Sequence, residues 1–459
     1  MNSDTVFYHI YPLGFCGAPA HNDFASPAGS GLRSLIDHIP RLLELGINAV
    51  YIGPLFESSA HGYDTVDYFW VDRRLGNNED LRALVEAYHR AGIRVVLDAV
   101  FNHSGRHFFA FKDLQKQREN SPYRDWYSGL DFSRNSPLGD SFSYEGWAGC
   151  YDLVKFNGES RELRDHLFDA AEFWIGEFDI DGLRLDAAAD LLPGFMDELA
   201  ARCKKARPGF WLLGEVVAGD YRNWAGEKRL DSVTNYELYK GLWSCFNDKN
   251  FFELAWTLNR QWGREGMYRD LTLYNFADNH DVNRVASILT NKSHLFPLYG
   301  ILFCLPGVPS IYYGSEFGIA GERTRESDRA LRPRWNPGWV SPSAGEEAGD
   351  TEAGVPAPAL FGALRDFIKV RRENTCLREG SYRQVRLSHE QFAFMREQGP
   401  DQVLVAVNAA AKGHTLHIPG EALRSGKSRW RDLFTGEEFP AASGGITLPL
   451  HPSYLRILG

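Results

Sequence analysis

Four acidic residues each end an apolar run that predicts a buried β-strand. They are Asp98, Asp186, Glu215 and Asp281. Burying a carboxylate is costly, so a chain that repeats this arrangement is expected to use it. In a barrel of parallel strands, the carboxyl ends of the strands share one rim, where active sites are built. The pattern therefore predicts a barrel whose mouth holds several carboxylates.

Strand-like and helix-like segments alternate over the first three quarters of the chain, which is typical of an α/β protein. Residues 32–45 and 285–303 have helical spacing, and Asn78 is the predicted N-cap of a helix over 79–90. The pattern predicts a (β/α)8 TIM barrel. Its eight predicted strands are residues 6–11, 47–52, 93–100, 180–185, 210–213, 232–235, 271–276 and 309–313.

Two segments interrupt or follow this alternation. The aromatic, Ser-, Gly- and Pro-rich stretch 104–160 is too long for an ordinary connection and predicts a subdomain inserted after the third strand. From residue 376 to 459, short β runs separated by turns predict a C-terminal all-β domain, a small β-sandwich. The barrel itself is assigned to residues 1–103 and 161–375, and its stretch 336–358, rich in Gly, Ala, Pro and Glu, is predicted to be a flexible loop.

Composition excludes several classes of function. With 60 acidic against 50 basic residues, the net charge of −10 argues against a nucleic-acid partner. The six cysteines show no paired spacing, which argues against metal clips and redox motifs. No apolar stretch reaches the length of a membrane span, and the first residues lack a signal-peptide pattern. We therefore expect a cytoplasmic protein that contacts no membrane.

The acids differ in their neighbours. Arg184 and Asp186 lie two apart on a predicted strand and face the same way, so we expect the guanidinium to lower the pKa of Asp186 and keep it ionised. Glu215 has no basic neighbour in sequence, and partial desolvation of such a glutamate favours a general acid. A nucleophile and an acid about 5–5.5 Å apart define a retaining glycosidase. The imidazole of His280 and the neighbouring carboxylate of Asp281 can bind adjacent hydroxyl groups of a sugar. His103 can do the same from another strand.

Four motifs in this order resemble the signature regions of the α-amylase family, glycoside hydrolase family 13. They are Asp98–His103, Gly182–Asp186, Gly214–Glu215 and Asn279–Asp281. Supporting likenesses at 8–12, 61–68 and 307–314 extend the resemblance over about the first 335 residues. Four motifs with matching order and spacing are a specific signal.

The resemblance implies a role for each site residue. Asp186 is the implied nucleophile, Glu215 the acid/base, and Asp281 the acid that supports the transition state. The implied substrate-binding residues are Tyr63, Asp98, His103, Arg184, His280, Asp328 and Arg332. Tyr63 would stack on the sugar ring, and Asp328 with Arg332 would bind hydroxyls on the non-reducing side. No cofactor is implied as required, although Asn102 could help to bind a structural calcium ion, as in some relatives.

The chain is most similar to the neopullulanase and cyclomaltodextrinase branch, through residues 153–157 and 173–182. Val216, Ala189 and Gly62 depart from patterns in related enzymes. The implied activity is hydrolysis of α-glucosidic bonds, mainly α-1,4, in maltooligosaccharides, cyclodextrins or related α-glucans through a covalent intermediate. The same residues would serve a transglycosylase or isomerase, and a non-catalytic sugar-binding homologue is the remaining alternative.

Some of these residues have a purely structural role as the alternative to the functional one. For Asp98 the alternative is a purely structural role as the ion-pair partner of Arg184. For Tyr63 the alternative is a role in packing alone. The aromatic residues of the insertion are interpreted mostly as its core, with sugar platforms as the alternative; they include Trp126, Tyr127, Phe132 and Trp147.

Overall fold

The computed structural model describes residues 1, 3–340, 357–424 and 426–459. Its strands in chain order are β1 (Phe7–Ile10), β2 (Ala49–Ile52), β3 (Arg94–Ala99), β4 (His103–Gly105), β5 (Gly146–Trp147), β6 (Cys150–Lys155), β7 (Gly182–Leu185), β8 (Trp211–Gly214), β9 (Ser232–Thr234), β10 (Thr272–Phe276), β11 (Val308–Tyr312), β12 (Ser381–Leu387), β13 (Gln391–Gln398), β14 (Asp401–Asn408), β15 (His414–Ile418), β16 (Arg429–Arg431), β17 (Glu438–Ala442), β18 (Gly445–Leu450) and β19 (Tyr454–Leu458).

The α-helices are α1 (Pro12–Phe15), α2 (Gly31–Ser34), α3 (Ile39–Leu45), α4 (Asn78–Arg90), α5 (Phe109–Gln117), α6 (Arg161–Phe178), α7 (Pro193–Ala206), α8 (Tyr236–Asn247), α9 (Phe251–Trp262), α10 (Val285–Ile288), α11 (Leu295–Cys304), α12 (Ala357–Glu373), α13 (Thr375–Glu379) and α14 (Gly420–Leu423). Among the residues that the structure describes, no helix combines the length and apolarity needed to cross a membrane.

Eight parallel strands close into a barrel in the order β1, β2, β3, β7, β8, β9, β10 and β11, which pairs again with β1. Alternate residues of these strands fill the interior, including Phe7, Tyr51, Trp211 and Tyr274. Gly182 is required in this layer, because a Cβ there would lie 2.4 Å from the Trp211 carbonyl oxygen. The filled interior leaves the polar residues at the carboxyl ends of the strands as the mouth of the barrel.

The inserted residues form a small sheet in the order β4, β6, β5 above the end of β3. Beyond the barrel, β12–β13–β14–β19 and β15–β18–β17–β16 form two antiparallel sheets whose side chains pack around buried Trp430. The predicted fold class, a (β/α)8 barrel with an insertion after the third strand and a C-terminal all-β region, is confirmed. The bounds 104–160 and 376–459 stay our proposal for the two added units.

Local predictions were wrong at several element ends. The cap of α4 is Asn77 rather than Asn78, because Asn77 and Asp80 exchange side-chain-to-backbone hydrogen bonds in a capping box. Residues 32–45 form two helices joined by a 3₁₀ turn, and Pro40 in the first turn of α3 lacks an amide hydrogen. Residues 285–303 are likewise divided by the turn Lys292–His294.

The remaining differences concern the C-terminal part. The short β runs predicted there, residues 391–395, 403–407, 415–418, 446–450 and 454–457, are fewer than the eight strands β12 to β19. The polar segment β16 and the proline-containing segment β17 also pair, although neither has a clear apolar pattern. Of the predicted flexible loop 336–358, residues 341–356 lie outside the described residues.

Candidate active site

One buried guanidinium gathers three of the four strand-end acids. Arg184 lies on β7, and its Nη1 donates to Asp98 Oδ1 at 2.8 Å and to Asp186 Oδ1 at 2.9 Å. Its Nη2 forms an ion pair with Glu215 Oε1 at 2.9 Å. Because Asp186 and Glu215 contact the two amino groups of a single guanidinium, their carboxyl groups face the same small space.

Asp186 keeps one oxygen free inside this space. Its side chain is 6% exposed, and its buried Oδ2 has no hydrogen-bond partner among the residues that the structure describes. A buried polar atom without a partner is uncommon and points to a functional reason. The free oxygen is available to a reacting carbon.

Glu215 is held from a second direction. Its Oε2 accepts a hydrogen bond of 3.1 Å from the backbone amide of Ala187, a residue with a φ of 46°. A residue other than glycine in this left-handed region stores strain, which often accompanies a functional site. The strained turn after the Asp186 peptide thus orients the neighbouring glutamate.

Asp98 binds two tyrosine hydroxyls besides Arg184. Tyr51 donates to Asp98 Oδ2 at 2.7 Å and Tyr63 donates to the same oxygen at 3.0 Å. The Tyr63 hydroxyl also contacts His280 Nε2, and the two rings stack at 5.5 Å between centroids. Asp98 therefore has the structural pairing with Arg184 that was expected, and it also positions Tyr63.

Asp281 lies on the other side of the mouth. His280 Nε2 is 2.9 Å from Asp281 Oδ2, and Arg332 Nη2 is 3.0 Å from Asp281 Oδ1. The same Arg332 nitrogen lies 2.8 Å from Asp328 Oδ2. The predicted pair Asp328 and Arg332 is thus joined to the third acid through one guanidinium.

His103 lies next to Tyr63. The ring is fully buried, and its Nε2 lies 3.1 Å from the Tyr63 carbonyl oxygen. Burial lowers the pKa of His103 to about 3, so the ring is neutral over the ordinary pH range. All ten predicted site residues therefore belong to one connected network.

The acids titrate differently. Burial raises the pKa of Asp186 well above its ordinary value; Arg184 opposes this shift, while the charges of Glu215, Asp98 and Asp281 add to it. The expectation that Arg184 leaves this pKa lowered is wrong, because burial and three like charges outweigh one cation.

Burial also raises the pKa of Asp281, but His280, Arg332 and Arg184 lower it more, so the net pKa lies well below its ordinary value. The side chain of Asp281 is 35% exposed, so water weakens each of these contributions.

Sequence reasoning missed several site contacts. Tyr51 binds Asp98, Tyr236 places its hydroxyl 3.5 Å from Glu215 Oε1, and Tyr11 stacks on His280 at 5.8 Å. An aromatic residue in a strand or helix is ordinarily a core residue. The only available signal was the position of Tyr51 and Tyr236 at or just after strand ends.

Asn102 is the predicted ligand of a structural calcium ion. Asn102 is buried, and its side-chain amide lies 3.1 Å from His103 Nδ1. Within the described ranges, no three His, Cys, Asp or Glu side chains are grouped so that they could hold a metal ion. Calcium also binds amide and backbone carbonyl oxygens, so Asn102 as a ligand of a structural calcium ion stays a prediction.

Comparison with known families identifies the barrel. A model described as the alpha amylase catalytic domain matches residues 9–349, and one described as the maltogenic amylase C-terminal domain matches residues 382–455. The chain belongs to the α-amylase family. Its matching relatives are named cyclomaltodextrinase, neopullulanase and maltogenic alpha-amylase, and this α-amylase family protein is a glycosidase that hydrolyses O-glycosyl bonds.

Individual relatives agree with this assignment. A cyclomaltodextrinase of Bacillus sp is 32% identical over 90% of this chain and 74% of its own. Neopullulanase 2 of Thermoactinomyces vulgaris is 32% identical over 99% of this chain and 77% of its own. Among solved structures, a cyclic alpha-maltosyl-(1→6)-maltose hydrolase from Arthrobacter globiformis, in complex with that sugar, has a TM-score of 0.80 at 27% identity, covering 99% of this chain and 98% of its own. These matches confirm the predicted likeness to the neopullulanase and cyclomaltodextrinase branch of the α-amylase family.

Proposed function

We propose that the protein hydrolyses α-glucosidic bonds, mainly α-1,4, in maltooligosaccharides, cyclodextrins or related α-glucans with retention of configuration. The observation that carries this proposal is the shared guanidinium of Arg184, which holds Asp186 and Glu215 in one space while Asp186 Oδ2 stays unpartnered. The names of relatives, cyclomaltodextrinase and neopullulanase, support the substrate class.

In the first step, Glu215 gives its proton to the glycosidic oxygen. Oδ2 of Asp186 attacks the anomeric carbon as the bond to the leaving sugar breaks, and a covalent glycosyl ester forms. Arg184 assists because it stays bound to both carboxyl groups as the charge moves from one to the other. The burial of Asp186, which is the main cause of its raised pKa, also leaves the attacking carboxylate poorly solvated before reaction.

In the second step, Glu215 removes a proton from water, and the resulting oxygen nucleophile attacks the anomeric carbon of the ester. The bond to Asp186 breaks and the sugar leaves with its original configuration. Asp281, whose pKa is low, remains a carboxylate and stabilises the positive charge that develops on the sugar.

The substrate-binding residues surround these acids. Tyr63 would offer its ring to the sugar, and His280 and His103 would contact its hydroxyls. Arg332 and Asp328 would bind the next sugar toward the non-reducing end. Arg184 and Asp98 act mainly by fixing Asp186, Glu215 and Tyr63.

Product analysis tests the reaction. The protein is incubated with maltotriose, pullulan, β-cyclodextrin and sucrose, and the products are separated by chromatography over time. We expect shorter glucans, and NMR at early times should show the α-anomer at the new reducing end. Products longer than the substrate would indicate a transglycosylase instead, and an altered sugar of unchanged size would indicate an isomerase.

Variants separate catalysis from binding. Asp186→Ala should abolish cleavage while binding of maltotriose remains, as calorimetry can measure. Unchanged cleavage would refute Asp186 as the nucleophile.

In Glu215→Gln, a fluorinated glucosyl fluoride should label the peptide that contains Asp186, which mass spectrometry can detect. Cleavage should also survive dialysis against EDTA, because we propose that no metal cofactor takes part.

We further propose that the enzyme works in the cytoplasm. One relative, from Bacillus subtilis, is named an intracellular maltogenic amylase and is 31% identical over 69% of this chain. Fractionation of cells with an antibody against the protein tests this, and recovery from the medium would contradict it.

A further inference from the structure

Trp147 lies at the tip of the hairpin between β5 and β6, over the mouth of the barrel. Its ring stacks on His103 with centroids 5.2 Å apart and an angle of 23° between the planes. Its Nε1 donates a hydrogen bond of 2.8 Å to Asp190 Oδ2. The inserted sheet is thereby tied to the loop that follows Asp186.

Trp147 does not behave as a core residue. Trp126, in the same insertion, is buried in the main hydrophobic core, whereas Trp147 is only partly buried. Among the described residues, Trp147 belongs to neither the buried clusters nor the side chains packed against them. Its indole is held by a ring below and a carboxylate at its edge, which leaves part of its surface open.

The strand order tells which end of the cleft Trp147 occupies. It bridges the ends of β3 and β7, and β7 neighbours β8, the strand that precedes Glu215. The ends of β10 and β11, with Asp281 and then Asp328 and Arg332, lie across the barrel. Trp147 and the pair Asp328–Arg332 are therefore on opposite sides of the reacting acids.

The reaction requires that different sugars of the substrate bind on these two sides of the acids. A general acid lies next to the leaving-group oxygen, so the leaving sugar must lie on the side of Glu215. Val217, two residues after Glu215, is 60% exposed and adds apolar surface on that side. An aromatic ring with an open surface suits the C–H faces of a glucosyl ring.

We propose that Trp147 is a binding platform for the sugar on the leaving-group side, and that Asp190 is a positioning residue that fixes the plane of the indole. This inference rests on the proposed function of the same site. It assigns the substrate a binding surface contributed by the inserted segment rather than by the barrel.

The test compares two substrates that differ only in the leaving group. When the maltosyl unit of maltotriose is transferred to the enzyme, glucose is the leaving group, whereas α-maltosyl fluoride releases fluoride and places no sugar on Trp147. Trp147→Ala should lower kcat/KM for maltotriose about tenfold, mainly through KM, and change kcat/KM for the fluoride less than about twofold. Trp147→Phe and Asp190→Ala should give intermediate losses on maltotriose alone, and Asp190→Asn, which keeps an acceptor oxygen, should give the smallest.

Trp256→Ala is the matched control. Trp256 is 64% exposed on α9, on the outer layer of the barrel, and its substitution should change neither substrate. Equal losses on both substrates in Trp147→Ala would indicate a purely structural role and would overturn the proposal, as would no loss on either.

A binding measurement keeps this result separate from the proposed function. In the full chain carrying Asp186→Asn, calorimetry should show maltotriose binding that weakens about tenfold when Trp147→Ala is added. Unchanged affinity would refute the platform. Absence of cleavage by the wild-type protein, with affinity that still depends on Trp147, would refute the proposed hydrolysis and leave the platform supported.

Discussion

Asp98 and Arg184 are register partners on the neighbouring strands β3 and β7, and their side chains form a buried ion pair of 2.8 Å. Arg184 also contacts Asp186 and Glu215, so a single cation compensates three carboxyl groups. Their spacing depends on the planar fork of the guanidinium, whose two amino groups hold different acids. The positions of both reacting carboxyl groups therefore depend on this one side chain.

Arg184→Lys should therefore lower kcat about 100-fold or more, because a single ammonium cannot hold Asp186 and Glu215 on separate nitrogens. The melting temperature should also fall, since buried acids lose partners. Steady-state kinetics on maltotriose and calorimetry measure the two effects. Arg82→Lys is the control, because the pair between Arg82 and Glu177 is exposed. Activity of Arg184→Lys within a few-fold of wild type would contradict this account.

Asp186→Asn should abolish cleavage and at the same time stabilise the fold at pH 7. The pKa of Asp186 is raised in the folded protein, so ionising it at neutral pH costs stability that the neutral amide avoids. The melting temperature should rise by about 2 °C. The gain should shrink as the pH falls through the raised pKa, because the wild-type acid then takes up a proton. A gain that grows toward acid pH would contradict the raised pKa.

Asp328 and Arg332 should give different kinetic effects although they touch each other. Asp328→Ala removes a substrate contact and should raise KM about tenfold with little change in kcat. Arg332→Ala also frees Asp281, whose Oδ1 lies 3.0 Å from that guanidinium, and should lower kcat as well. Kinetics on maltotriose distinguish the two, and identical effects would show that Arg332 acts on substrate binding alone.

The convergence of the acids could be predicted from the sequence because the carboxyl ends of parallel strands share a rim. Each acid needed only to stand at the end of a recognisable strand, as Asp186 and Glu215 do. The order of strands around the barrel then followed from the rule that consecutive parallel strands neighbour one another.

Other features depend on contacts that the sequence does not encode locally. Tyr51 and Tyr236 look like core aromatics until the fold brings their hydroxyls to Asp98 and Glu215. The net pKa shift of Asp186 depends on burial by many side chains and on acids from three other strands, whereas its sequence neighbour Arg184 suggests the opposite direction. The break before α3, by contrast, has a local signal in Pro40, which lacks an amide hydrogen.

Arg396 is expected to hold the C-terminal sheets to the barrel. This fully buried residue of β13 donates to the carbonyl oxygens of Cys304, Leu377 and Gly380 at 2.6, 2.8 and 2.6 Å. Arg396→Met keeps much of the volume but leaves the carbonyl groups of Cys304 and Gly380 without this donor, whereas Leu377 keeps the hydrogen bond from Arg371. Each unsatisfied group costs about 1–3 kcal/mol, so the melting temperature should fall by roughly 10 °C.

The catalytic rate of the folded Arg396→Met enzyme should stay near that of wild type. Cys304 precedes the amino end of β11, whereas the acids lie at the carboxyl ends of the strands, so the lost contacts are at the opposite rim. Calorimetry and kinetics below the transition measure the two quantities. Arg429→Met is the control, because Arg429 is 74% exposed and its pair with Glu438 lies at the surface. A fall in kcat with an unchanged melting temperature would mean that Arg396 acts on the active site rather than on the junction with the C-terminal sheets.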